Sequence, residues 1–188
     1  MYFQDISKLT MSTFGVVLVA TIIIEVIMLF LIRYNTRMAG KNINIYYNQF
    51  GLHAVLADIF IIVLGIALTQ LIYRNYAFPS FGWSIGLFIL MLVLFQIIHD
   101  SFLYQFIIIP IPEGHNSLID LLKAYGKSGG PLILFYDACM LIGTVLIASV
   151  LYKYPASASI VAGSLAAYTI PYILATQNEY SNINQSKD

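Results

Sequence analysis

The sequence predicts an all-α integral membrane protein, a bundle of five transmembrane helices. The 188 residues are 60% hydrophobic and only 10% charged, with a mean hydropathy of +0.82. Soluble domains contain about 25% charged residues. The apolar residues also collect into segments of about 20, the length that an α-helix needs to cross the hydrocarbon core of a bilayer.

Five segments have the required length and apolar composition. They occupy residues 13–33, 54–73, 82–109, 132–152 and 157–174. The first is too long for the hydrophobic region of a cleavable signal peptide, so we interpret it as a retained helix. The fifth carries Pro171 near its end, where a membrane helix tolerates proline. We expect residues 1–176 to form one transmembrane domain, and the polar tail at 177–188 to be disordered.

The distribution of basic residues predicts the orientation in the membrane. Six of them fall on one side: Arg33, Arg37, Lys41, Lys123, Lys127 and Lys187. Three fall on the other: Lys8, Arg74 and Lys153. Short loops rich in Lys and Arg stay in the cytoplasm. The N-terminus is therefore expected outside the cell or in a lumen, and the C-terminus in the cytoplasm.

The residues between the third and fourth segments predict a short amphipathic helix on the cytoplasmic face. A Pro-Ile-Pro sequence at 110–112 ends the third helix, and Asn116 or Ser117 is suited to cap a new one. An apolar stripe follows: Leu118, Ile119, Leu121, Leu122 and Tyr125. Such a stripe favours a helix that lies on the membrane surface. The glycine-rich stretch at 126–130 is expected to end it.

Four of the nine acidic residues lie inside the hydrophobic segments: Glu25, Asp58, Asp100 and Asp137. A carboxylate in hydrocarbon costs roughly 2.5–3.5 kcal/mol on insertion scales. Such a side chain must face the bundle interior, find a partner or keep its proton. We therefore predict that these four acids and the neighbouring His99 form an ion- or proton-binding site. Four polar residues are expected to support it: Gln96, Tyr104, Tyr136 and Thr69.

The first four segments also show a candidate internal repeat. The second segment aligns with the fourth at a shift of 79 residues, and the first with the third at a shift of 75. The matched pairs include Tyr46 with Tyr125, Asp58 with Asp137, and Glu25 with Asp100. These matches predict a parallel two-helix repeat, formed by helices 1–2 and helices 3–4, with the fifth helix outside it. Chance alignment of similar apolar helices is the alternative.

The intramembrane acids allow more than one function. Acids and histidine inside a membrane are the usual material of ion and proton pathways, so we expect a channel- or transporter-like protein. Structural acids in a scaffolding protein of a viral or cellular membrane are the first alternative. A membrane-embedded enzyme that acts on lipid is the second, although no catalytic residue or His-Glu-x-x-His motif is evident. No cofactor is predicted, and a bound metal cation would draw on Glu25, Asp58, His99 and Asp137.

The expected partner is the lipid bilayer. The formal net charge is zero, which gives no basic surface for nucleic acid. Small residues at a spacing of four form one face of the fifth helix, namely Ser159, Gly163 and Ala167. Such a face allows helices to pack closely, either in a homo-oligomer or within the chain.

Five short stretches are distinctive. They are Tyr-Asn-Gln-Phe-Gly-Leu at 47–52, Ala-Val-Leu-Ala-Asp at 54–58, Ile-His-Asp at 98–100, Pro-Glu-Gly-His-Asn at 112–116 and Ile-Asp at 119–120. Together they resemble membrane proteins, without an assigned activity, of large DNA viruses of algae and other protists. The resemblance spans about residues 45–150. It implies a location in a host membrane or in the internal membrane of a virion, and it assigns no role to any residue.

Overall fold

The computed structural model describes residues 3–178, except for the side chains at 37–39 and 128–132, and within this part the chain is helical without any strand. The helices are α1 (Met11–Tyr34), α2 (Thr36–Phe50), α3 (Leu52–Phe81), α4 (Ile85–Ile108), α5 (Ser117–Leu151) and α6 (Ala156–Leu174). All except α2 contain a stretch long and apolar enough to cross a membrane. The prediction of five membrane-spanning helices is confirmed, whereas the predicted tail from 179 onward lies outside the described residues.

Four helices form a ring. α1 packs against α3 and α5, and α4 packs against the same two helices, so the order around the ring is α1, α3, α4, α5. α6 lies outside the ring and packs mainly against α1. A half-turn about the axis of such a ring would bring α1 onto α4 and α3 onto α5. This order is compatible with the predicted repeat, which stays a prediction.

Prolines shape the ends of α3 and α4. In α3 a wider π-helical turn occupies Tyr73–Ala77 and ends two residues before Pro79, and in α4 one occupies Tyr104–Ile108 and ends two residues before Pro110. Proline lacks an N–H and its ring clashes with the carbonyl group four residues earlier. A locally widened turn accommodates this clash without ending the helix at once.

The helix α2 was not predicted from the sequence, where residues 36–50 were expected only as a cytoplasmic connection. Its apolar side is set by Ile43, Tyr46, Tyr47 and Phe50, which pack against the core of the bundle. The non-helical backbone of Gly40, with φ at +75°, bends the helix so that this side reaches the bundle. α2 contacts α1, α3 and α5. We call the end of the bundle that it covers the α2 end.

The connection to α5 departs from the prediction. Asn116 caps the helix as expected, since its Oδ1 accepts the N–H groups of Leu118 and Ile119 at 2.9 and 3.3 Å. The predicted end at 126–130 is wrong, because α5 continues unbroken to Leu151. Gly126 serves close packing instead: a β-carbon there would lie 2.8 Å from the hydroxyl oxygen of Tyr104.

The opposite end of the bundle is closed by the N-terminal segment, and we call it the N-terminal end. Ile6 is fully buried there, and its carbonyl oxygen accepts a hydrogen bond from Nε2 of Gln70 at 2.6 Å. Nε1 of Trp83 donates to the carbonyl oxygen of Phe3 at 3.4 Å. The segment therefore covers the ends of α3 and α4 and removes water from that side of the core.

Candidate functional site

Two of the predicted acids meet at a tyrosine that the prediction did not include. The hydroxyl oxygen of Tyr47, on α2, lies 3.1 Å from Oε1 of Glu25 on α1 and 2.8 Å from Oδ2 of Asp58 on α3. The neighbouring Tyr46 donates its hydroxyl proton to Oδ1 of Asp58 at 3.2 Å. Three helices thus converge on one carboxyl–phenol group, and we call these four residues the Glu25–Asp58 cluster.

The cluster contains an unsatisfied oxygen. Glu25 is fully buried, and its Oε2 has no hydrogen-bond partner among the described residues. Leaving a buried polar group unpaired costs about 1–3 kcal/mol, and more when the group is charged. Unsatisfied groups of this kind are uncommon in folded proteins, and their explanations include strain, a catalytic role, and a bound water or ion. Glu25 is therefore the most informative residue of the site.

The second pair of acids belongs to the other half of the ring. Asp137 lies on α5 and Asp100 on α4, and the carboxyl groups of both interact electrostatically with each other. Burial, followed by the carboxylates of Asp137 and Asp58, raises the pKa of Tyr125 well above its ordinary value. Tyr125 therefore keeps its proton at neutral pH and remains a donor beside Asp137.

The pKa of Tyr46 on α2 indicates that several of the acids lie near one another. Burial and then the carboxylate of Asp58 raise the pKa of Tyr46, and the carboxylates of Glu25 and Asp137 add to this effect. Three of the four predicted acids thus act on one phenol. Because the pKa of Tyr46 is raised, its hydroxyl stays protonated at neutral pH and donates to a carboxylate.

His99 is not brought to the Glu25–Asp58 cluster by any contact in the described part of the chain. Its Nδ1 lies 2.9 Å from Oδ1 of the adjacent Asp100, and Phe95 stacks on its ring. Both members of the pair are partly exposed. Among the described residues no group of three or more His, Cys, Asp or Glu side chains is placed to hold a metal ion. The predicted metal site therefore gains no support from the geometry.

The four residues predicted to support the site do not all lie near the acids. Tyr136 interacts with Tyr125 beside Asp137, and Oε1 of Gln96 is buried without a partner in the described structure. Tyr104 packs against Gly126, as described above. Thr69 lies elsewhere, since its hydroxyl bonds to the carbonyl oxygen of Gly65 in its own helix and it is 11 residues, on the order of 16 Å along α3, from Asp58.

The sequence held a signal for the missed tyrosines. Ile43, Tyr46, Tyr47 and Phe50 follow the spacing i, i+3, i+4, i+7 of an amphipathic helix. Tyr46 and Tyr47 also follow the pattern of aromatic residues that collect at a membrane boundary. The physical reason for the miss is that a boundary tyrosine and a buried tyrosine look alike until the helix that carries them is recognised.

The site does not connect to the N-terminal end. Between the acids and that end, most of the buried side chains of the four helices are apolar: Val17, Ile62, Ile66, Phe88, Leu92, Leu141 and Val145. The polar side chains of Thr21, Thr69, Thr144 and Ser149 are also buried there. Asp58 is six residues from the start of α3, on the order of 9 Å along the helix. The cluster therefore lies nearer the α2 end, behind the side chains of α2.

Two apolar grooves lie on the surface of the bundle, and neither touches the acids. One of about 430 Å³ runs between α1 and α6, and one of about 230 Å³ borders Phe3 and α5.

Comparison with other proteins adds no further assignment, so the resemblance to viral membrane proteins stays a prediction. No protein-family model, curated protein or solved structure matches the chain.

Proposed function

We propose that this protein is a transporter-like membrane protein that binds and releases a small cation or a proton at the Glu25–Asp58 cluster. The observation that carries the proposal is the fully buried Glu25, which has one unpartnered oxygen and belongs to a cluster in which carboxyl oxygens outnumber donors. The basic residues near the α2 end favour access from the cytoplasm. The resemblance to viral proteins adds a location, a host membrane or the internal membrane of a virion.

A transporter-like protein fits the bundle better than an open channel. A channel needs a continuous polar path, whereas the buried side chains on the far side of the acids are mostly apolar. A site that is reached from one end at a time needs a barrier of this kind at the other end. The N-terminal segment adds a second layer to this barrier.

The two halves of the ring contribute similar groups to the site. Tyr46 donates to Asp58 in the first half, and Tyr125 interacts with Asp137 in the second. Both pairs were matched by the shift of 79 residues in the sequence. This correspondence supports the two-helix repeat, and paired repeats about a central site are a recurring architecture of transporters.

A structural role in the membrane is the second candidate, and one observation favours it. The hydroxyl of Tyr47 joins α1 to α3 through two carboxyl groups, and polar contacts of this kind between membrane helices stabilise a bundle by about 0.6 kcal/mol each on average. In a scaffolding protein these contacts would be the whole purpose of the acids.

A flux measurement distinguishes the transporter-like function from the structural role. Purified protein in liposomes is expected to dissipate an imposed gradient of protons or of Na⁺, K⁺ or Ca²⁺. The double variant Asp58→Asn with Asp137→Asn should fall to the level of protein-free liposomes, because the carboxylates that attract the ion are gone while the side-chain shapes remain.

The matched control for the flux measurement is Glu113→Gln, which replaces an exposed acid by its amide and should conduct like the wild type. Folding of each variant is checked by circular dichroism and by its elution from a gel-filtration column. An absence of flux through well-folded wild type, or unchanged flux in the double variant, would contradict the proposed function. The structural role would then be the better explanation.

A further inference from the structure

When both carboxyl groups are ionised, the Glu25–Asp58 cluster contains one proton fewer than its three hydrogen bonds require. A phenol donates one hydrogen bond and accepts others. The hydroxyl oxygen of Tyr47 nevertheless lies within hydrogen-bond distance of carboxyl oxygens of both Glu25 and Asp58, at 3.1 and 2.8 Å. Both contacts are hydrogen bonds only when one of the two carboxyl groups is protonated and donates to the phenol.

The geometry indicates which carboxyl group carries the proton. Both oxygens of Asp58 face phenol donors, Oδ1 that of Tyr46 and Oδ2 that of Tyr47. A carboxylate is stabilised by two donors of this kind. Glu25 faces only the oxygen of Tyr47, and its Oε2 has no partner in the described structure. As a neutral acid, Glu25 donates through Oε1, and Oε2 becomes an uncharged carbonyl oxygen, which is the less costly group to leave unpaired.

We propose that the ligand of this site is a single proton, held on Glu25 and exchanged with Asp58 through the hydroxyl of Tyr47. The proposal rests on the proposed function and names its substrate. In the exchange, Oε1 of Glu25 gives its proton to the oxygen of Tyr47, while Tyr47 gives its own proton to Oδ2 of Asp58. Glu25 becomes the carboxylate, Asp58 becomes the acid and Tyr47 is again a neutral phenol, so atoms and charge balance.

The surrounding groups favour a proton over a metal ion. The described side chains that interact with the two carboxyl groups are acids and phenols, and none of them is basic: Tyr46 and Tyr47 on α2, and Tyr125 and Asp137 on α5. A proton is therefore the charge that relieves the repulsion between the carboxylates. A calcium ion would need about six to eight oxygen ligands, whereas phenol protons already occupy both oxygens of Asp58.

Infrared difference spectroscopy of the full chain in liposomes tests the proposal directly, because a protonated carboxyl group has its own C=O band. At neutral pH the wild type is expected to show such a band, with a shift in D₂O. Glu25→Gln should remove it and Asp58→Asn should retain it. Tyr47→Phe should move its frequency, because the hydrogen bond from the acid to the phenol oxygen is lost. The exposed-acid control Glu113→Gln should leave the band unchanged.

Three results would overturn the proposal. They are the absence of a protonated-carboxyl band in the wild type at neutral pH, a band that survives Glu25→Gln, and a band that disappears when Na⁺, K⁺ or Ca²⁺ is added at constant pH. The spectrum does not depend on transport. A band that depends on Glu25 in a protein without flux would support the proton site and contradict the proposed function. Flux without the band would support the proposed function and contradict the proton site.

Discussion

The Arg33→Met variant is expected to have a free energy of unfolding about 1.5–3 kcal/mol lower than the wild type, the range typical of hydrogen bonds to charged groups. Arg33 is only 5% exposed. One of its terminal nitrogens donates to Oδ1 of Asn48 on α2, and the other donates to the carbonyl oxygen of Leu174, 2.7 Å away at the end of α6. The side chain therefore joins α1, α2 and α6, and methionine keeps its apolar stem without these bonds.

Two further variants make the Arg33 measurement specific. Arg33→Lys keeps the charge, and with it the expected orientation, but a single ammonium group replaces the planar fork, so an intermediate loss is expected. Arg74→Met removes an ion pair to Asp5 at 3.6 Å that is more than one-third exposed, and exposed pairs contribute about 0–1 kcal/mol. Thermal unfolding in detergent, followed by circular dichroism, measures all three. Equal stability of Arg33→Met and Arg74→Met would contradict the prediction.

Gly163→Leu is expected to lower the free energy of unfolding by about 1–3 kcal/mol, as overpacking of a tight contact does. A β-carbon at Gly163 would lie 2.9 Å from Cγ2 of Val19 and 3.2 Å from its Cγ1. Valine is stiff about χ1, so α1 and α6 would have to separate. Because α6 packs mainly against α1, we expect α6 to detach first, which would appear as a separate early unfolding transition.

The packing explanation for Gly163 has a control and a rescue. Gly15 on α1 has no atom within 4 Å of an added β-carbon, so Gly15→Leu is expected to leave stability unchanged or to raise it slightly. Val19→Ala should recover part of the loss caused by Gly163→Leu, since it removes the methyl groups nearest to the new β-carbon. Strictly additive effects of the two changes would show that the residues are not coupled and would contradict the explanation.

The five spanning helices could be predicted because hydrophobic length alone identifies them. α2 could not be found in this way, because it is short and carries polar residues such as Asn44 and Asn48. The end of the amphipathic stretch was misplaced for a related reason. Glycine often follows a helix, but Gly126 instead provides room for the ring of Tyr104, a contact between distant residues that local sequence does not contain.

The site was predictable in its acids but not in its phenols. The cost of burying charge singles out Glu25 and Asp58 in the sequence, and the structure joins them through Tyr47. The helical spacing around Tyr47 indicates an amphipathic helix, but its contact with both acids depends on how α2 packs against the bundle. His99 was included since it neighbours Asp100, yet neighbours on a helix point about 100° apart, and its contact with Asp100 lies on a partly exposed side of α4.

The attachment of α6 to α1 has a consequence for biosynthesis. The bond from Arg33 to Leu174 joins residues that are 141 positions apart. At about 5–20 residues per second, a ribosome needs on the order of 10 s to make the intervening chain. During that interval the face of α1 that will meet α6 must be covered by lipid or by the insertion machinery. Helix α6, which is synthesised well after α1, therefore completes the surroundings of α1.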